Sequence, residues 1–520
     1  MTAGDPVYEV VVIGAGFGGI GAGVELKKAG IENFVIVEKH PDIGGTWYAN
    51  TYPGVACDIP FLYYSFSYEV PKVWSRWFAP GNEVQAYAHQ VADSFGLNPH
   101  FRLSTTVVGL EWIADAHHWR VDLDTGEELT ARYVIASLGG LEIPKLPDID
   151  GIDSFANKLM HSAQWDHDYS YPGKRIGIIG TGASALQIVP EMAKVASELT
   201  VFQRRGIWVA PKPDFRVDWG LDRAFARVPG LRFLGRAMLS IVMEFAFTSF
   251  WLFHRQMPVL ATFARLVGGR AYRRALPGQR EVAEALTPNY ALGCKRPALS
   301  SDYLRTFRRK NVHLATESIV KITPTSVVTA DGTEHELDVL VCATGFSQME
   351  KGKCPPFPVH GANGFELGDF WDRYRFQAYQ GVSVPNFPNL FSVIGPYAVS
   401  GISYLNAIEC TTAHAVRAIQ RARRVGATAV EVRREPHVKY WEQMLRRTKG
   451  SLWLSSACAN SNTWNVNYHG DVAAFRIATP IEMWWGNKHF PFDHYRFTTL
   501  PKQPAVAGRR RLRALVARRA

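Results

Sequence analysis

The sequence Gly14-Ala15-Gly16-Phe17-Gly18-Gly19 directly follows the apolar run 10–13 and decides the fold of the first part of the chain. A GxGxxG turn between a strand and a helix is typical of a dinucleotide-binding unit, because its glycines allow a tight turn and a close approach of the backbone to a pyrophosphate. The next apolar run, 34–37, leads to Glu38, which lies 24 positions after Gly14. A carboxylate at this place can accept hydrogen bonds from both ribose hydroxyls of an adenosine, and it repels a 2′-phosphate.

A second turn of this kind, Gly180-Thr181-Gly182-Ala183-Ser184-Ala185, follows the apolar run 176–179. Here the next run, 199–202, leads to Arg204 at the same offset of 24 positions. A guanidinium suits the 2′-phosphate of NADP(H), and the following Arg205 either adds a phosphate contact or faces water. Two units with ribose-binding residues of opposite charge predict an α/β protein with two Rossmann-like domains, one for an adenine dinucleotide without a 2′-phosphate and one for NADP(H).

The length of 520 residues is enough for about three domains, and 47% of the residues are hydrophobic. Residues 1–6 contain neither a basic stretch nor an apolar core, so the sequence predicts a cytoplasmic protein without a secretory signal. The net charge is +11, but six arginines stand in the tail 508–520. This distribution predicts a solvated basic end rather than a protein that binds nucleic acid.

The six cysteines are scattered along the chain without a CxxC pair. Their spacing predicts neither a metal site nor a redox-active disulfide. It therefore argues against one rival function, a two-nucleotide disulfide reductase.

The segment 237–253 is apolar apart from Glu244 and is slightly too short to span a membrane comfortably. Its flanks, 221–236 and 259–274, alternate apolar residues and arginines with helical spacing. This pattern predicts a buried helix within a helical subdomain, with peripheral membrane contact as the less favoured interpretation. A non-catalytic, membrane-recruited flavin-binding module is a third class of function, in which this segment and the basic tail would dominate.

Four further stretches resemble one known family, the type I Baeyer-Villiger monooxygenases among the class B flavoprotein monooxygenases. The family fingerprint F-x-G-x-x-x-H-x-x-x-W-(P/D) is matched by residues 155–166, FANKLMHSAQWD, except that Asn157 replaces the glycine. Asparagine tolerates a left-handed backbone best after glycine, so we expect the turn to survive. The other stretches are the loop 44–58, the segment Gly293-Cys294-Lys295-Arg296-Pro297, and the strand 338–346, where Gly345 is expected to permit the crossing between domains.

The resemblance implies two sets of cofactor-binding residues. The set expected to hold FAD is Gly14, Gly16, Phe17, Gly19, Glu38, Lys39, Gly45, Thr46, Trp47, Asp58 and Tyr64. The set expected to hold NADP(H) is Gly180, Thr181, Gly182, Ser184, Gln187, Arg204, Arg205, Lys295 and Trp464. In this second set, Lys295 joins Arg204 on the 2′-phosphate, and Trp464 either lies toward the nicotinamide or packs in the core.

Arg296 is the predicted catalytic cation, and Asp58 is its orienting partner. Reduced flavin and oxygen give a C4a-peroxyflavin anion whose attack on a ketone produces another anion, and an arginine stays charged throughout. The resemblance thus implies an NADPH- and O2-dependent monooxygenase that inserts one oxygen atom next to a ketone carbonyl and gives an ester or lactone. Oxygenation of a sulfide or amine by the same flavin, and an exposed basic pair at Lys295-Arg296, remain as alternatives.

The predicted organisation places the first part of the FAD domain at 1–148 and the NADP domain at 149–340. The inserted helical subdomain is expected at about 215–292, the second part of the FAD domain with a substrate loop at 341–505, and the basic tail at 506–520. Aromatic loop residues indicate either a bulky apolar substrate or packing on the flavin. They are Phe61, Tyr63, Tyr64 and Trp485.

Overall fold

The structure is a computed structural model that describes residues 8–72, 74–141, 143–217, 228, 230–252, 258–296 and 298–500. For residues 246–252 and 258–266 it describes the backbone alone. The basic tail 506–520 therefore lies outside the described residues, as does most of the segment 218–229.

The first sheet is built around the strand Tyr8–Ile13, whose residues 10–13 are buried. Consecutive buried β-branched residues are typical of a parallel sheet covered on both faces, and both neighbours, Phe34–Val37 and Glu128–Ala136, run parallel to this strand. The path across the sheet is Val359–His360, Val107–Ile113, His118–Leu123, Glu128–Ala136, Tyr8–Ile13, Phe34–Val37 and Phe101–Arg102. A late strand, Leu390–Ser392, also pairs in parallel with Glu128–Ala136, so the sheet contains strands from both ends of the chain.

The second sheet has five strands, all parallel. In order they are Val312–Ala315, Glu198–Phe202, Arg175–Ile179, Val339–Cys342 and Lys158–His161. An antiparallel sheet of three strands follows the first of these, formed by Ile319–Ile322, Ser326–Thr329 and Glu334–Glu336. Two small pairs complete the strands, Val209–Ala210 with Ala298–Leu299 and Ala429–Val432 with Tyr495–Thr498.

Helices cover the sheets and connect their strands. They are Phe17–Lys28, Thr46–Ala49, Gly81–Ser94, Ala183–Met192, Leu231–Leu252, Pro258–Ala275, Arg280–Leu286, Tyr303–Thr306, Leu367–Tyr374, Tyr404–Val425, Arg434–Thr448 and Pro480–Lys488. Each of the two sheets carries one glycine turn between a strand and a helix, so the predicted fold class of two Rossmann-like units is confirmed.

The helix Leu231–Leu252 does not have the surroundings that the sequence predicts. Its large apolar side chains Phe233, Leu234, Met238, Ile241, Val242 and Phe245 are between 49% and 76% exposed, so the prediction of a buried helix is wrong. On its inner face Leu239 and Met243 pack against the core, and two buried polar side chains, Arg236 and Glu244, make hydrogen bonds with neighbouring segments. No helix in the described part of the chain combines the length and the apolarity that a membrane crossing requires.

Candidate active site

The first glycine turn joins the strand Tyr8–Ile13 to the helix Phe17–Lys28. Gly14 has a φ of +94°, and a Cβ at this residue would lie 2.4 Å from the carbonyl oxygen of Ser137. A Cβ at Gly19 would lie 1.8 Å from the carbonyl oxygen of Gly14, so only glycine lets the helix pack this closely on the turn. The result is a helix N-terminus positioned for a pyrophosphate.

Glu38 is held against this turn. Its Oε2 accepts a hydrogen bond of 2.6 Å from the Ala15 amide, and its Oε1 accepts one of 3.0 Å from the His40 amide. The carboxylate keeps further lone pairs, so it can also accept from two ribose hydroxyls. The next predicted residue, Lys39, is exposed.

The loop 44–58 lies against the same turn. The Gly44 amide donates to the Ala15 carbonyl at 3.0 Å, and a Cβ at Gly45 would lie 2.9 Å from the Cα of Gly16. Thr46 begins the short helix Thr46–Ala49, in which the Trp47 indole donates to the Tyr64 hydroxyl at 3.1 Å. The Tyr64 ring in turn meets the buried ring of Phe17 edge-on, with 6.2 Å between the centroids. The predicted FAD set is therefore brought together on one wall.

The second glycine turn repeats the geometry of the first. Gly180 has a φ of +122°, and a Cβ there would lie 2.4 Å from the carbonyl oxygen of Ala343. At Gly182 a Cβ would meet no atom within 4 Å, which leaves room at the start of the helix Ala183–Met192. Thr181 donates its hydroxyl to the Arg205 carbonyl at 3.0 Å and so fixes the turn to the segment that follows the next strand.

Gln187 links the two nucleotide units. Its Oε1 accepts from the Tyr52 hydroxyl at 3.2 Å and from the Ala56 amide at 3.3 Å, while its Nε2 donates to the Ala56 carbonyl at 2.9 Å. Ser184, one turn earlier on the helix, interacts with the same Tyr52 hydroxyl. The predicted NADP(H) helix is thereby attached to the loop that carries Asp58.

Arg204, Arg205 and Lys295 form a cluster of three cations. Desolvation lowers the pKa of Lys295, and the positive charges of Arg205 and Arg204 lower it further, to about 8. The ammonium also lies over the Tyr290 ring, 5.6 Å from the centroid. Desolvation is the largest cause of this shift, but the part due to the two arginines shows that three positive charges lie close together, an arrangement that favours an anion such as the 2′-phosphate of NADP(H).

Arg296 and Asp58 make an ion pair in which Nη2 donates to Oδ1 at 2.9 Å. Desolvation acts to lower the pKa of Arg296, but the Asp58 carboxylate and the nearby phenols of Tyr404 and Tyr64 outweigh it, so the pKa is raised. The guanidinium is therefore charged at every pH at which the protein is folded. Burial together with Asp58 raises the pKa of Cys57 to about 12, which keeps this neighbouring thiol protonated.

The loop that carries Arg296 is attached to the C-terminal part of the chain. The Trp453 indole donates to the Gly293 carbonyl at 3.2 Å, and the Ala291 amide donates to the Ala457 carbonyl at 3.2 Å. Cys294 and Cys458 are joined by a disulfide across 164 positions. The sequence analysis did not foresee this disulfide, because the pairing arises from tertiary contact rather than from spacing in the sequence.

Trp464 follows the disulfide-bonded Cys458 along the chain. Its side chain is 46% exposed, and its ring lies 5.8 Å from that of Phe475. The structure therefore places it at the surface next to the group formed by Trp453 and Phe475, whose rings are stacked. Its expected contact with the nicotinamide stays a prediction.

The fingerprint 155–166 contains Lys158–His161, the edge strand of the second sheet. Asn157 does not adopt the left-handed backbone that we expected for it, and its side chain instead donates to the Leu337 carbonyl at 2.8 Å. His161 is buried, with its ring 5.5 Å from that of Phe346. Gly345, just before Phe346, has a φ of +84° and accepts from the Lys145 amide of the other crossing segment. The two segments that cross between the sheets are thus hydrogen-bonded to each other.

Sequence reasoning missed several residues around the ion pair. Tyr404, which lies within electrostatic reach of Arg296, begins a helix more than a hundred residues away and belongs to no motif. Lys212 lies near Cys57 and Asp58, and desolvation lowers its pKa. Two of the aromatic residues expected near substrate belong to the core, because Phe61 and Tyr63 are fully buried.

These features define a class of protein. One wall has a carboxylate at the ribose position, the other has three cations at the equivalent position, and an arginine lies beside the loop that joins the walls. Both glycine turns lead into a helix N-terminus, which suits the pyrophosphate of a dinucleotide, so the residues fit FAD and NADP(H). The protein is a flavoprotein that receives its electrons from NADPH.

Comparisons with known proteins lead to the family. A family model described as pyridine nucleotide-disulphide oxidoreductase matches residues 11–219. A Baeyer-Villiger monooxygenase of Streptomyces coelicolor is 36% identical over 490 residues, which cover 92% of each chain. OTEMO in complex with FAD and NADP matches with a TM-score of 0.84 at 26% identity, over 95% of this chain and 100% of that one. A cyclohexanone monooxygenase from Rhodococcus sp. Phi1 bound to NADP+ gives the same TM-score, identity and coverage.

The chain belongs to the Baeyer-Villiger monooxygenase family. It is a FAD-dependent monooxygenase that uses NADPH and O2 and inserts one oxygen atom next to a ketone carbonyl. The disulfide between Cys294 and Cys458 does not revive the reductase alternative, because both cysteines are buried and serve to attach the Arg296 loop.

Proposed function

We propose that Arg296 is the catalytic cation of ketone oxygenation and that Asp58 is its positioning residue. The 2.9 Å ion pair between them is the observation that supports this assignment most directly. The two residues are 238 positions apart, and each lies on a loop next to one of the nucleotide-binding turns. The pair therefore stands where both cofactors and a substrate can converge.

The bound cofactors supply the electrons and the activated oxygen, and the protein supplies position and charge. Arg296 holds a permanent positive charge toward which negative charge on the reacting oxygen can develop. Asp58 restricts the guanidinium to one orientation through a charge-assisted hydrogen bond. Tyr64 and Tyr404 stay protonated, because burial raises the pKa of each phenol, so both can donate hydrogen bonds near the guanidinium.

The cofactors are assigned to the two walls by charge. We assign FAD to the wall of Gly14, Gly16 and Glu38, where a carboxylate excludes a 2′-phosphate. NADPH is assigned to the wall of Gly182, where the three-cation cluster lies. The proposed substrate is a ketone, in keeping with the name of the cyclohexanone monooxygenase that the fold matches.

The first experiment measures the stoichiometry of the purified protein with NADPH, O2 and a panel of cyclic and linear ketones. Ester formed in proportion to NADPH consumed supports the proposed reaction. Release of hydrogen peroxide in proportion to NADPH with every ketone, or oxygenation of sulfides alone, would contradict it.

The role of Arg296 is tested by Arg296→Ala, with Arg446→Ala as the matched control because Arg446 forms an exposed ion pair within one helix. We expect ester formation to fall by about 100-fold or more, the effect typical of losing a transition-state charge partner. NADPH oxidation should continue, with its product shifted to hydrogen peroxide. A parallel loss of NADPH oxidation and ester formation would instead assign Arg296 to cofactor binding.

A further inference from the structure

The outer face of the helix Leu231–Leu252 carries a set of large apolar side chains that are exposed to solvent. Its exposed apolar side chains at 234, 238, 241 and 245 follow the spacing of a single helical face, and Phe233 and Val242 extend that face on either side. We call these six residues the outer face. A helix at the surface of a soluble protein ordinarily turns such a stripe toward the core and its polar residues toward water.

The orientation of the helix is fixed by its inner contacts. Arg236 donates twice to the Ser65 carbonyl, at 3.1 and 2.7 Å, and once to Asn406 at 3.1 Å. About two turns further on, Glu244 accepts from Asn406 at 3.2 Å and from the Tyr63 hydroxyl. Both polar side chains are buried, so turning the outer face inward would break these bonds and expose two buried charged side chains.

The charge of the surrounding sequence indicates what covers the outer face. Residues 219–275 contain nine arginines and no lysine, against two acidic residues. Of the described arginines in this stretch, Arg270, Arg273 and Arg274 are exposed. A second copy docked through the same face would bring two such basic segments together, which Coulomb repulsion opposes. An anionic lipid surface attracts them instead.

The length and polarity of the helix indicate how the protein would bind an anionic lipid surface. The helix carries buried polar anchors on one side, and no described helix qualifies as a membrane span. An amphipathic helix with a basic surrounding lies in the plane of the lipid interface and inserts its apolar face between headgroups. Firm attachment of this kind takes two signals, and the six arginines of 508–520 provide a second basic element in the sequence.

We propose that the outer face of the helix Leu231–Leu252 docks onto a membrane surface rich in anionic phospholipid. The protein then lies on the bilayer, with Phe233, Met238, Ile241 and Phe245 at the boundary between the headgroups and the acyl chains and the exposed Arg270, Arg273 and Arg274 near the phosphates.

The test is cosedimentation of the full-length holoprotein with vesicles of phosphatidylcholine alone and of phosphatidylcholine with phosphatidylglycerol. The variant replaces Met238, Ile241 and Phe245 by serine, and the control replaces Val108, Val320 and Val425, which are exposed at scattered positions. We expect the wild type and the control to bind the phosphatidylglycerol vesicles, with weaker binding as salt is raised, and the variant to bind at least about tenfold more weakly.

Each alternative result would overturn the proposal. Wild-type protein that stays in the supernatant shows that the outer face does not meet lipid, and equal binding to both kinds of vesicle removes the role of anionic headgroups. An equal loss of binding in the control shows that the effect is not specific to the helix. A dimer in lipid-free sedimentation that the variant converts to a monomer assigns the face to a second copy of the chain. Retained FAD content and ketone turnover in the variant show that it is folded.

Discussion

Lys295 is the residue whose charge state depends most directly on what binds beside it. The positive charges of Arg205 and Arg204, together with desolvation, hold its pKa at about 8, well below the ordinary value for a lysine. A 2′-phosphate placed within the cluster favours the charged ammonium and raises that pKa. Binding of NADP(H) is therefore expected to take up a proton at mildly alkaline pH.

Because protonation of Lys295 is coupled to NADPH binding, the affinity for NADPH should depend on pH. Below pH 8 Lys295 is already charged in the free protein, so the affinity for NADPH is flat there, and above pH 8 it falls because the lysine must be protonated on binding. Lys295→Met should raise the KM for NADPH about tenfold at neutral pH and abolish the alkaline fall. KM profiles against pH for NADPH and NADH provide the measurement.

Lys310→Met serves as the control, because Lys310 is exposed outside the cluster. A KM for NADH that rises as much as that for NADPH in Lys295→Met would show that the lysine does not contact the 2′-phosphate.

At the scale of elements, the helix Leu231–Leu252 packs closely on the loop that contains Gly401. A Cβ at Gly401 would lie 1.9 Å from Oε2 of Glu244, and Gly401 has a φ of +92°. Gly426 also has a positive φ, of +67°, but a Cβ there meets no atom within 4 Å. The two glycines therefore separate the effect of backbone strain from the effect of the clash.

Gly401→Ala is predicted to destabilise the protein more than Gly426→Ala. Backbone strain should cost each variant about 1 kcal/mol. The clash with Glu244 should add about 2 kcal/mol or more to the loss in Gly401→Ala. Urea unfolding of the two variants measures the difference. Equal midpoints would mean that Glu244 moves aside without cost, so that the inner contacts do not fix the helix.

A second element, the loop carrying Arg296, is predicted to depend on its disulfide. Cys458→Ser should leave NADPH oxidation in place while more of it ends in hydrogen peroxide, because the loop keeps its residues but loses its attachment. The variant should also melt at a lower temperature, since a disulfide typically contributes about 2–4 kcal/mol. Dithiothreitol should lower the melting temperature of the wild type and leave that of Cys458→Ser unchanged. Equal melting temperatures of the wild type and Cys458→Ser would show that this bond does not stabilise the protein.

At the scale of the whole molecule, the first sheet depends on a strand that arrives late in the chain. Phe391 in the strand Leu390–Ser392 is buried beside Ile135, its partner in the parallel ladder. Val393, just beyond, lies so close to Gly18 that a Cβ on that glycine would stand 3.1 Å from it. The returning segment therefore supports the helix that begins at the first glycine turn.

Phe391→Ala should accordingly cost about 3 kcal/mol or more and lower the temperature at which FAD is released. Val341→Ala, at a fully buried position of the second sheet, is the matched control, and it should weaken NADPH binding while FAD stays bound. Flavin fluorescence during heating measures the release. The same release temperature in both variants would contradict the inference that the FAD site depends on the first sheet and the NADPH site on the second.

The sequence predicted those parts of the molecule that depend on local spacing. Both glycine turns, Glu38 and Arg204 follow from strand-turn-helix patterns of fewer than thirty residues, and the structure has each turn where it was expected. The contact of Asp58 with Arg296 came from family resemblance, because no local pattern connects residues 238 positions apart. The pairing of Cys294 with Cys458 was missed for the same reason. The helix Leu231–Leu252 was misjudged because hydropathy shows that a segment is apolar but not what covers it.

The order of strands also bears on how the chain is made. All five strands of the second sheet lie between Lys158 and Cys342, so they have left the ribosome before residue 390 is translated. The first sheet begins at Tyr8 and receives its last strand at Leu390–Ser392, so its early strands wait for most of the chain. The nucleotide unit that is synthesised second is therefore the first that can close, and the flavin can be enclosed only after the strand Leu390–Ser392 has been made.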